Sequence, residues 1–264
     1  MTRNDKFDEK LAIVTGASSG IGEASARSLA AKGARVILLA RNKARLDAIA
    51  NEISSSGGKA DAYPVDLADP HAVASTANEI SSTYGATDIL VNNAGAGRWL
   101  SIVETTAEKA ARMVAVPYLA AFNITREFLG GMIARGTGNI VNVTSVAARL
   151  ACLERSPIHP HAGRREGFSE SLRADLFGSG ICVTSAMFGT VESPFWEHNP
   201  GSRERLPRQA AQIQALTTEE VANAIISGIE KGKRAVIKPA IYRLLFMFNA
   251  LFPKMTELMM RRKR

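Results

Sequence analysis

The chain has 264 residues, of which 46% are hydrophobic, and a formal net charge of +8. This length and composition suit one large α/β domain and exclude a disordered chain or a coiled coil. Two cysteines offer neither a disulfide framework nor zinc-ligand spacing, so we expect no metal site and a reducing, cytoplasmic environment. The polar first ten residues predict no secretory signal.

The positive charge is concentrated at the C-terminal end. From residue 231 onward, ten basic residues are accompanied by one acidic residue, a net of +9, so residues 1–230 carry about −1. A basic tail on a nearly neutral body, with no interleaved stacking aromatics, argues against a nucleic-acid partner. It instead predicts that the C-terminal end attaches to something anionic.

A glycine-rich turn separates the first predicted strand from the first predicted helix. Residues 11–15 form a continuous apolar run, Gly16, Gly20 and Gly22 follow, and residues 23–32 are amphipathic. Glycines allow unusual backbone angles and leave no Cβ in the way of a phosphate that approaches the helix N-terminus. The pattern therefore predicts a dinucleotide site.

Strand-length apolar runs and amphipathic segments then alternate along the chain. This alternation predicts a parallel sheet with helices on both faces and a ligand beyond the carboxyl ends of the strands. Thr217 precedes Glu220 by three residues, which is the spacing of a capping box that opens a helix. The further predicted strands span residues 34–40, 60–65, 88–92, 138–145, 181–187 and 234–237, and two of the predicted helices span residues 43–55 and 70–84.

Arg41 lies at the carboxyl end of the second predicted strand, where the adenosine ribose of a dinucleotide should bind. An acidic residue there would bind the ribose 2′-hydroxyl, whereas an arginine suits the 2′-phosphate of NADP. We therefore expect NADP(H) to be preferred over NAD(H). The alternative is that Arg41 only begins a solvated helix.

Several motifs, in order, resemble those of the short-chain dehydrogenase/reductase family. They are Thr15-Gly16-Ala-Ser-Ser-Gly20-Ile-Gly22, Asn92-Asn-Ala-Gly95, the strand 138–145 and the segment 167–173. The resemblance covers about residues 10–237. It implies a Rossmann-type, doubly wound, seven-stranded parallel sheet with one domain over residues 1–239, followed by an apolar, basic helical tail over residues 240–264. It also implies a homodimer or homotetramer formed through long helices at about 106–135 and 160–178.

The resemblance also implies a cofactor site. The turn after the first strand would line the pyrophosphate and ribose, the third strand would end beside the adenine, and the turn after the fourth strand would line the far ribose. The implied cofactor-binding residues are Gly16, Ser18, Ser19, Gly20, Ile21, Gly22, Arg41, Asp66, Leu67, Asn93, Ala94 and Gly95.

Only one of the family's four catalytic positions matches. The family uses a tyrosine to transfer the proton, a lysine to lower its pKa and hold the ribose, a serine to orient the carbonyl and an asparagine to support a relay water. Ser145 matches the serine, but the tyrosine, lysine and asparagine positions are occupied by Ile158, Ala162 and Pro117. Since general acid catalysis contributes about 10²–10⁴-fold, we expect a poor conventional member of the family.

His159 and His161 lie between the vacant tyrosine and lysine positions, 158 and 162, and a histidine has a suitable pKa for proton transfer near neutrality. One hypothesis is that a histidine replaces the tyrosine. The alternative is that both are solvated at a distorted helix start, because Pro157 and Pro160 would delay the helix by about one turn.

Residues 153–166 differ from the family pattern throughout, although both flanks match it. The segment also puts Arg164 and Arg165 near the start of a helix whose apolar face should pack. Two hypotheses are compensating reading-frame shifts and relaxed selection on a pseudoenzyme.

The tail is more apolar than a surface helix needs, but its apolar stretch, residues 241–252, is too short to span a bilayer. It would either lie peripherally in a membrane interface, with its basic end on anionic head groups, or cover the substrate cleft or a subunit interface. Phe195 and Trp196 either line an apolar substrate site or simply pack.

These features together predict an NAD(P)-dependent oxidoreductase that acts on an apolar carbonyl or alcohol with a degenerate catalytic centre. The alternative is an inactive NADP-binding pseudoenzyme that acts as an oligomeric or membrane-associated interaction protein. NADPH-dependent turnover distinguishes these two hypotheses.

Overall fold

Seven parallel strands form one sheet in the order β3-β2-β1-β4-β5-β6-β7, which confirms the predicted doubly wound architecture. The computed structural model describes residues 6–95, 100–150, 158–206 and 208–260. The order reverses direction between β1 and β4, and a crevice at such a point is where ligands bind in sheets of this type. The strands are Leu11–Thr15 (β1), Arg35–Ala40 (β2), Lys59–Pro64 (β3), Ile89–Asn92 (β4), Gly138–Ser145 (β5), Ile181–Phe188 (β6) and Ala235–Lys238 (β7).

Helices cover both faces of the sheet. One apolar cluster joins the sheet to α1, α2 and α9, and a second joins it to α3, α5 and α6. The described helices are Gly20–Ala31 (α1), Lys43–Ser55 (α2), Pro70–Tyr84 (α3), Ala107–Val114 (α4), Ala120–Arg135 (α5), Ile158–Asp175 (α6), Phe195–His198 (α7), Arg208–Gln212 (α8), Thr218–Glu230 (α9), Ile241–Leu251 (α10) and Pro253–Met260 (α11).

Strand β1 shows why the sequences of these strands are continuously apolar. Ala12 and Val14 belong to one cluster, whereas Leu11 and Ile13 belong to the other, because successive side chains point to opposite faces of a strand. All four side chains are buried. The three larger side chains, those of Leu11, Ile13 and Val14, contribute about 1.5–3 kcal/mol each, so β1 stabilises both layers.

Three helices begin where local chemistry predicts. The side chains of Asn42 and Asp69 accept backbone hydrogen bonds at the starts of α2 and α3, whose bounds are the predicted ones. At the start of α9 the Glu220 N–H donates to Thr217 Oγ1 over 3.1 Å, and the Thr217 N–H donates to Glu220 Oε2 over 2.8 Å. The predicted capping box is confirmed.

The long helix predicted over residues 106–135 contains a π-helical segment, Ala115–Leu119, between α4 and α5. The buried Pro117 lies inside this segment. Proline has no N–H to donate, and its ring would meet the carbonyl of the preceding turn, so a wider turn accommodates it.

Helix α6 corrects the predicted delay at its start. It begins at Ile158 and continues through position 160 to Asp175. A proline in the first turn of a helix costs no intrahelical hydrogen bond, because that N–H has no partner in the helix. Pro160 is therefore compatible with the helix start.

The C-terminal helices extend from the edge of the sheet at β7. Tyr242 of α10 is buried with Val146, Leu150 and Met187, which follow or end the neighbouring strands β5 and β6. Within the described ranges, no helix combines the length and the apolar character needed to cross a membrane.

Candidate dinucleotide site

The turn between β1 and α1 needs its glycines. Gly16 and Gly20 have φ values of +67° and +59°, a region that favours glycine. A Cβ on Gly22 would lie 2.2 Å from the backbone oxygen of Gly16. The backbone can turn this tightly only because that Cβ is absent, and the turn thereby places the N-terminus of α1 at the carboxyl end of β1.

The first turn of α1 is available to an anionic ligand. Its N-cap residue, Ser19, has an extended backbone and makes no side-chain capping hydrogen bond. Ser18, Ser19 and Ile21 are all partly exposed. Unpaired backbone N–H groups and the helix dipole at such a terminus favour a phosphate.

The end of β4 is tied to the end of β1 by Thr15 and Asn93. The backbone N–H groups of Asn93 and Ala94 each donate to Thr15 Oγ1 over 3.0 Å, and Asn93 Nδ2 donates to the Thr15 carbonyl over 3.1 Å. A Cβ on Gly16 would lie 2.9 Å from the Cα of Ala94. Gly95 is exposed beyond this junction, so the two turns meet at one edge of the sheet, where the strand order reverses.

The ends of β2 and β3 lie side by side. The Val65 N–H donates to the Ala40 carbonyl over 2.9 Å, which brings the following residues, Arg41 and Asp66, to the same edge of the sheet. Both are exposed, whereas Leu67 is buried. Asp66 Oδ1 accepts the N–H of Ala68 over 3.0 Å. The arginine is thus placed where a ligand that extends past the glycine turn would end.

Ser145 is the last residue of β5 and pairs in register with Phe188, the last residue of β6. It is partly exposed, and its Oγ accepts the N–H of Ala147 over 3.2 Å. Pro117, which the resemblance to the family aligns with the catalytic asparagine, is buried in the π-helical segment. The backbone of residues 158–162 belongs to α6. The side chains of Ile158, His159, His161 and Ala162 lie outside the described part of the structure.

Arg165, which the sequence did not indicate as a site residue, also reaches this edge of the sheet. Its side chain reaches from α6 to the carboxyl ends of β4 and β5, where Nη2 donates to the Ala94 carbonyl over 2.7 Å and Nη1 to the Val143 carbonyl over 2.5 Å. Burial lowers the pKa of Arg165 to about 10, so it stays protonated at neutral pH. The only signal in the sequence was an arginine on a face expected to be apolar.

A chain of buried amides and hydroxyls lies beside Arg165. Asn92 Nδ2 donates to Thr125 Oγ1 over 2.9 Å and to Asn142 Oδ1 over 2.8 Å. Asn142 Nδ2 donates to Ser169 Oγ over 2.9 Å, and Ser169 in turn donates to the Arg165 carbonyl over 2.8 Å. This network holds α5 and α6 on the strands that carry the site, because breaking one link would leave a buried polar group unpaired.

Two loops border the crevice. A Cβ on Gly20 would lie 3.4 Å from the Cβ of Ser193, so the loop after β6 passes close to the glycine turn. Glu104 and Arg205 join this loop to the segment after β4 by two hydrogen bonds of 2.7 Å. Those hydrogen bonds, with others from Ser101, hold the pKa of Glu104 well below its usual range.

The family model described as short chain dehydrogenase matches residues 10–202. The probable oxidoreductase EphD of Mycobacterium tuberculosis is 34% identical over 239 residues, which cover 86% of this chain and 40% of that protein. The chain therefore spans about two-fifths of that relative's length. A putative ketoacyl reductase of granaticin polyketide synthesis from Streptomyces violaceoruber is 32% identical over 84% of this chain and 80% of its own length.

Solved structures show the same likeness. A short-chain dehydrogenase from Sphingobium yanoikuyae in complex with NADPH has a TM-score of 0.80 and 26% identity, covering 94% of this chain and 95% of its own. Actinorhodin polyketide ketoreductase with NADPH has a TM-score of 0.79 and 29% identity, covering 88% of this chain and 97% of its own. A short chain dehydrogenase/reductase from Burkholderia phymatum in complex with NAD shares the fold at 20% identity, with a TM-score of 0.83 over 96% of both chains.

Proposed function

Because this chain belongs to the short-chain dehydrogenase family, we propose that it is an oxidoreductase that uses NADP(H) to interconvert an apolar carbonyl compound and its alcohol. The observation that carries the proposal is the junction of β1, β4 and α1. At this junction the backbone leaves no room for a Cβ on Gly16 or Gly22. The N-terminus of α1 lies beside it, and its N-cap residue, Ser19, makes no side-chain capping hydrogen bond. Such a junction fits a pyrophosphate.

The proposed cofactor would extend along the carboxyl edge of the sheet. Gly16, Ser18, Ser19, Gly20, Ile21 and Gly22 would hold its pyrophosphate and first ribose, Asp66 and Leu67 would flank its adenine, and Asn93, Ala94 and Gly95 would line its second ribose. When bound, it supplies or accepts a hydride at its nicotinamide. The preference for NADP(H) rests on Arg41, whose exposed guanidinium at the end of β2 suits a 2′-phosphate.

We assign the orientation of the substrate oxygen to Ser145. The residue is partly exposed at the carboxyl end of β5. It lies beside the end of β6, and the loop that follows β6 passes close to the glycine turn. Neither isoleucine nor alanine can donate a proton at positions 158 and 162, so we expect turnover well below that of a complete centre. His159 and His161 are the candidates that the sequence offers for the missing acid.

The apolar character of the substrate is supported by two aromatic residues of the loop after β6. The rings of Phe195 and Trp196 meet edge to face with their centroids 5.3 Å apart, and both residues are partly exposed. Trp196 Nε1 donates to the Val191 carbonyl over 2.8 Å, which fixes the orientation of the indole. A rigid apolar wall of this kind suits a hydrophobic substrate.

A homo-oligomer is part of the proposal. Leu119 and Phe122, at the start of α5, are exposed apolar side chains, and the Phe122 ring lies 6.0 Å from the Phe168 ring of α6. The outer side of these two long helices therefore carries apolar surface of the kind found in obligate interfaces. A second copy of the chain is the partner that we propose for it.

We also propose that α10 and α11 lie on an anionic membrane surface. Ile241, Leu244, Met247 and Leu251 recur at helical spacing and are all exposed, as are Phe252, Met255 and Leu258. Arg243 and Lys254 are exposed on the same two helices, and four further basic residues end the sequence. Apolar surface rimmed by positive charge complements a bilayer that contains acidic lipids.

The first experiment is a calorimetric titration of the full chain with NADPH, with NADH as the control. Binding that favours NADPH supports the site and the assignment of Arg41. Absence of binding by either nucleotide overturns the proposed function. A screen of apolar ketones that follows NADPH oxidation then tests turnover, and binding without turnover across the screen would favour the inactive alternative.

A further inference from the structure

Arg165 carries a buried positive charge that no carboxylate of the described residues neutralises. The residue is only 5% exposed, and in the part of the chain that the structure describes it forms no ion pair. Its Nη atoms donate to two backbone carbonyls, while its Nε is buried with no hydrogen-bond partner among the residues that the structure describes. Such a charge is costly to keep in a folded protein unless something else compensates it.

The neighbouring carboxylate does not serve this purpose. Glu166 pairs with Arg149 through an Nη2 to Oε1 contact of 2.6 Å and accepts a hydrogen bond from the Ser185 hydroxyl with its other oxygen. The carboxylate is thus engaged on the β6 side of α6, whereas the Arg165 guanidinium is engaged on the β4 side. The two charges are therefore directed to different parts of the sheet.

The guanidinium lies between two parts of the proposed cofactor site. Ala94 belongs to the turn that we propose lines the second ribose, the one that bears the nicotinamide, and Val143 precedes Ser145 by two residues on β5. The positive charge is therefore placed at the nicotinamide end, in a buried region where electrostatic interactions are weakly screened.

This position bears on the redox state of the nucleotide. The nicotinamide ring is a cation when oxidised and neutral when reduced, whereas the phosphates and both riboses are the same in the two forms. A fixed positive charge nearby raises the free energy of the oxidised form relative to the reduced one. We propose that Arg165 is a specificity-determining residue that makes this site bind NADPH more tightly than NADP⁺. This inference rests on the proposed function and adds the preferred redox state of the ligand.

The test is the ratio of the dissociation constants of NADP⁺ and NADPH, because contributions common to both nucleotides cancel in it. We expect the unaltered chain to favour NADPH by about tenfold, which corresponds to about 1.4 kcal/mol of difference in binding free energy. In Arg165→Met the ratio should fall toward one. Arg165→Lys keeps the charge and should keep the ratio, and Arg164→Met, which removes the charge of an exposed neighbour, should leave it unchanged.

The outcomes separate this inference from the proposed function. Binding of neither nucleotide overturns the function itself. Equal binding of both nucleotides by the unaltered chain, or a preference for NADP⁺, overturns the role of Arg165 even if Arg165→Met does not fold. If Arg165→Met unfolds cooperatively and binds both nucleotides with an unchanged ratio, Arg165 is only a structural tie between α6 and the strands.

Discussion

The guanidinium of Arg165 donates a hydrogen bond to the carbonyl of Ala94 over 2.7 Å and so connects α6 to the turn that follows β4. The same turn is tied to β1, because the Ala94 N–H donates to Thr15 Oγ1 over 3.0 Å. Ala94 thus joins the end of β1 to α6, the helix that contains two of the four positions compared with the family's catalytic residues, Ile158 and Ala162. We therefore expect substitutions in α6 to alter the conformation of the turns after β1 and β4.

Gly22→Ala should weaken NADPH binding by at least tenfold and destabilise the fold by about 1–3 kcal/mol, because the added Cβ would collide with the Gly16 carbonyl. Calorimetry and urea unfolding measure the two effects. The control is Gly130→Ala at an exposed position of α5 with no atom within 4 Å of the added Cβ. It should raise stability by about 0.5–1 kcal/mol. Unimpaired NADPH binding by Gly22→Ala would contradict the proposed cradle.

Arg41→Ala should weaken NADPH binding by about 1.5–3 kcal/mol, the usual contribution of a hydrogen bond to a charged group. NADH binding should stay the same, since NADH lacks the 2′-phosphate. Lys43→Ala removes a nearby exposed charge and should affect both nucleotides only slightly. If Arg41→Ala weakened both nucleotides equally, the contact with the 2′-phosphate would be ruled out.

Ser145→Ala should lower kcat/KM by about 10²–10³-fold, as expected when a donor to the reacting oxygen is removed. The dissociation constant for NADPH should not change, because the hydroxyl group is proposed to contact substrate only. Steady-state kinetics with the best ketone of the screen provides the measurement, and Ser145→Thr, which keeps a hydroxyl group, should retain more activity. Equal activity of Ser145→Ala and the unaltered chain would remove Ser145 from the mechanism.

Glu104→Gln should loosen the two loops that border the crevice, because it removes the charge that pairs with Arg205. Amide hydrogen exchange at pH 7 should become faster in both loops. Since the folded-state pKa of Glu104 is lowered, the stabilisation is present above the ordinary pKa of a glutamate and is lost as the pH falls through the folded-state value.

The control for this pair is Glu108→Gln at the start of α4, an exposed glutamate with no described contact to Arg205. It should leave exchange in residues 203–206 unchanged. Similar exchange rates in the two variants would show that the Glu104 pair does not restrain these loops.

Leu244→Glu combined with Leu251→Glu should reduce co-sedimentation with phosphatidylserine vesicles by at least tenfold. The reason is that the change puts two negative charges on the exposed apolar face of α10. Phe177→Glu, at an exposed apolar residue just after α6, should bind vesicles as the unaltered chain does. Vesicles of phosphatidylcholine alone should bind either form weakly.

Two other outcomes would place the α10 face elsewhere. Dissociation of an oligomer by the double substitution would assign the face to a contact between copies of the chain. A rise in KM with unchanged vesicle binding would assign it to the cover of the substrate cleft. Either result would overturn the membrane proposal.

Local patterns in the sequence predict the architecture, and they place the ends of all seven strands to within one residue of those in the structure. The alternation of apolar runs and amphipathic segments reflects strands that are buried on both faces, as in β1, and local caps at Asn42, Asp69 and Thr217 set helix starts. These signals are short in range, so a pattern within about fifteen residues contains them. The glycine-rich turn could be predicted from the sequence for the same reason.

The direction of the Arg165 side chain, in contrast, depends on contacts between residues that are distant along the chain. Its partners, Ala94 and Val143, lie 71 and 22 residues away along the chain, and no local pattern encodes such contacts. Packing between elements likewise determines three other features. They are the π-helical segment around Pro117, the ion pair between Glu104 and Arg205, and the exposed face of α10. A helix pattern specifies which residues share a face, whereas the surrounding elements decide whether that face is buried, paired or left at the surface.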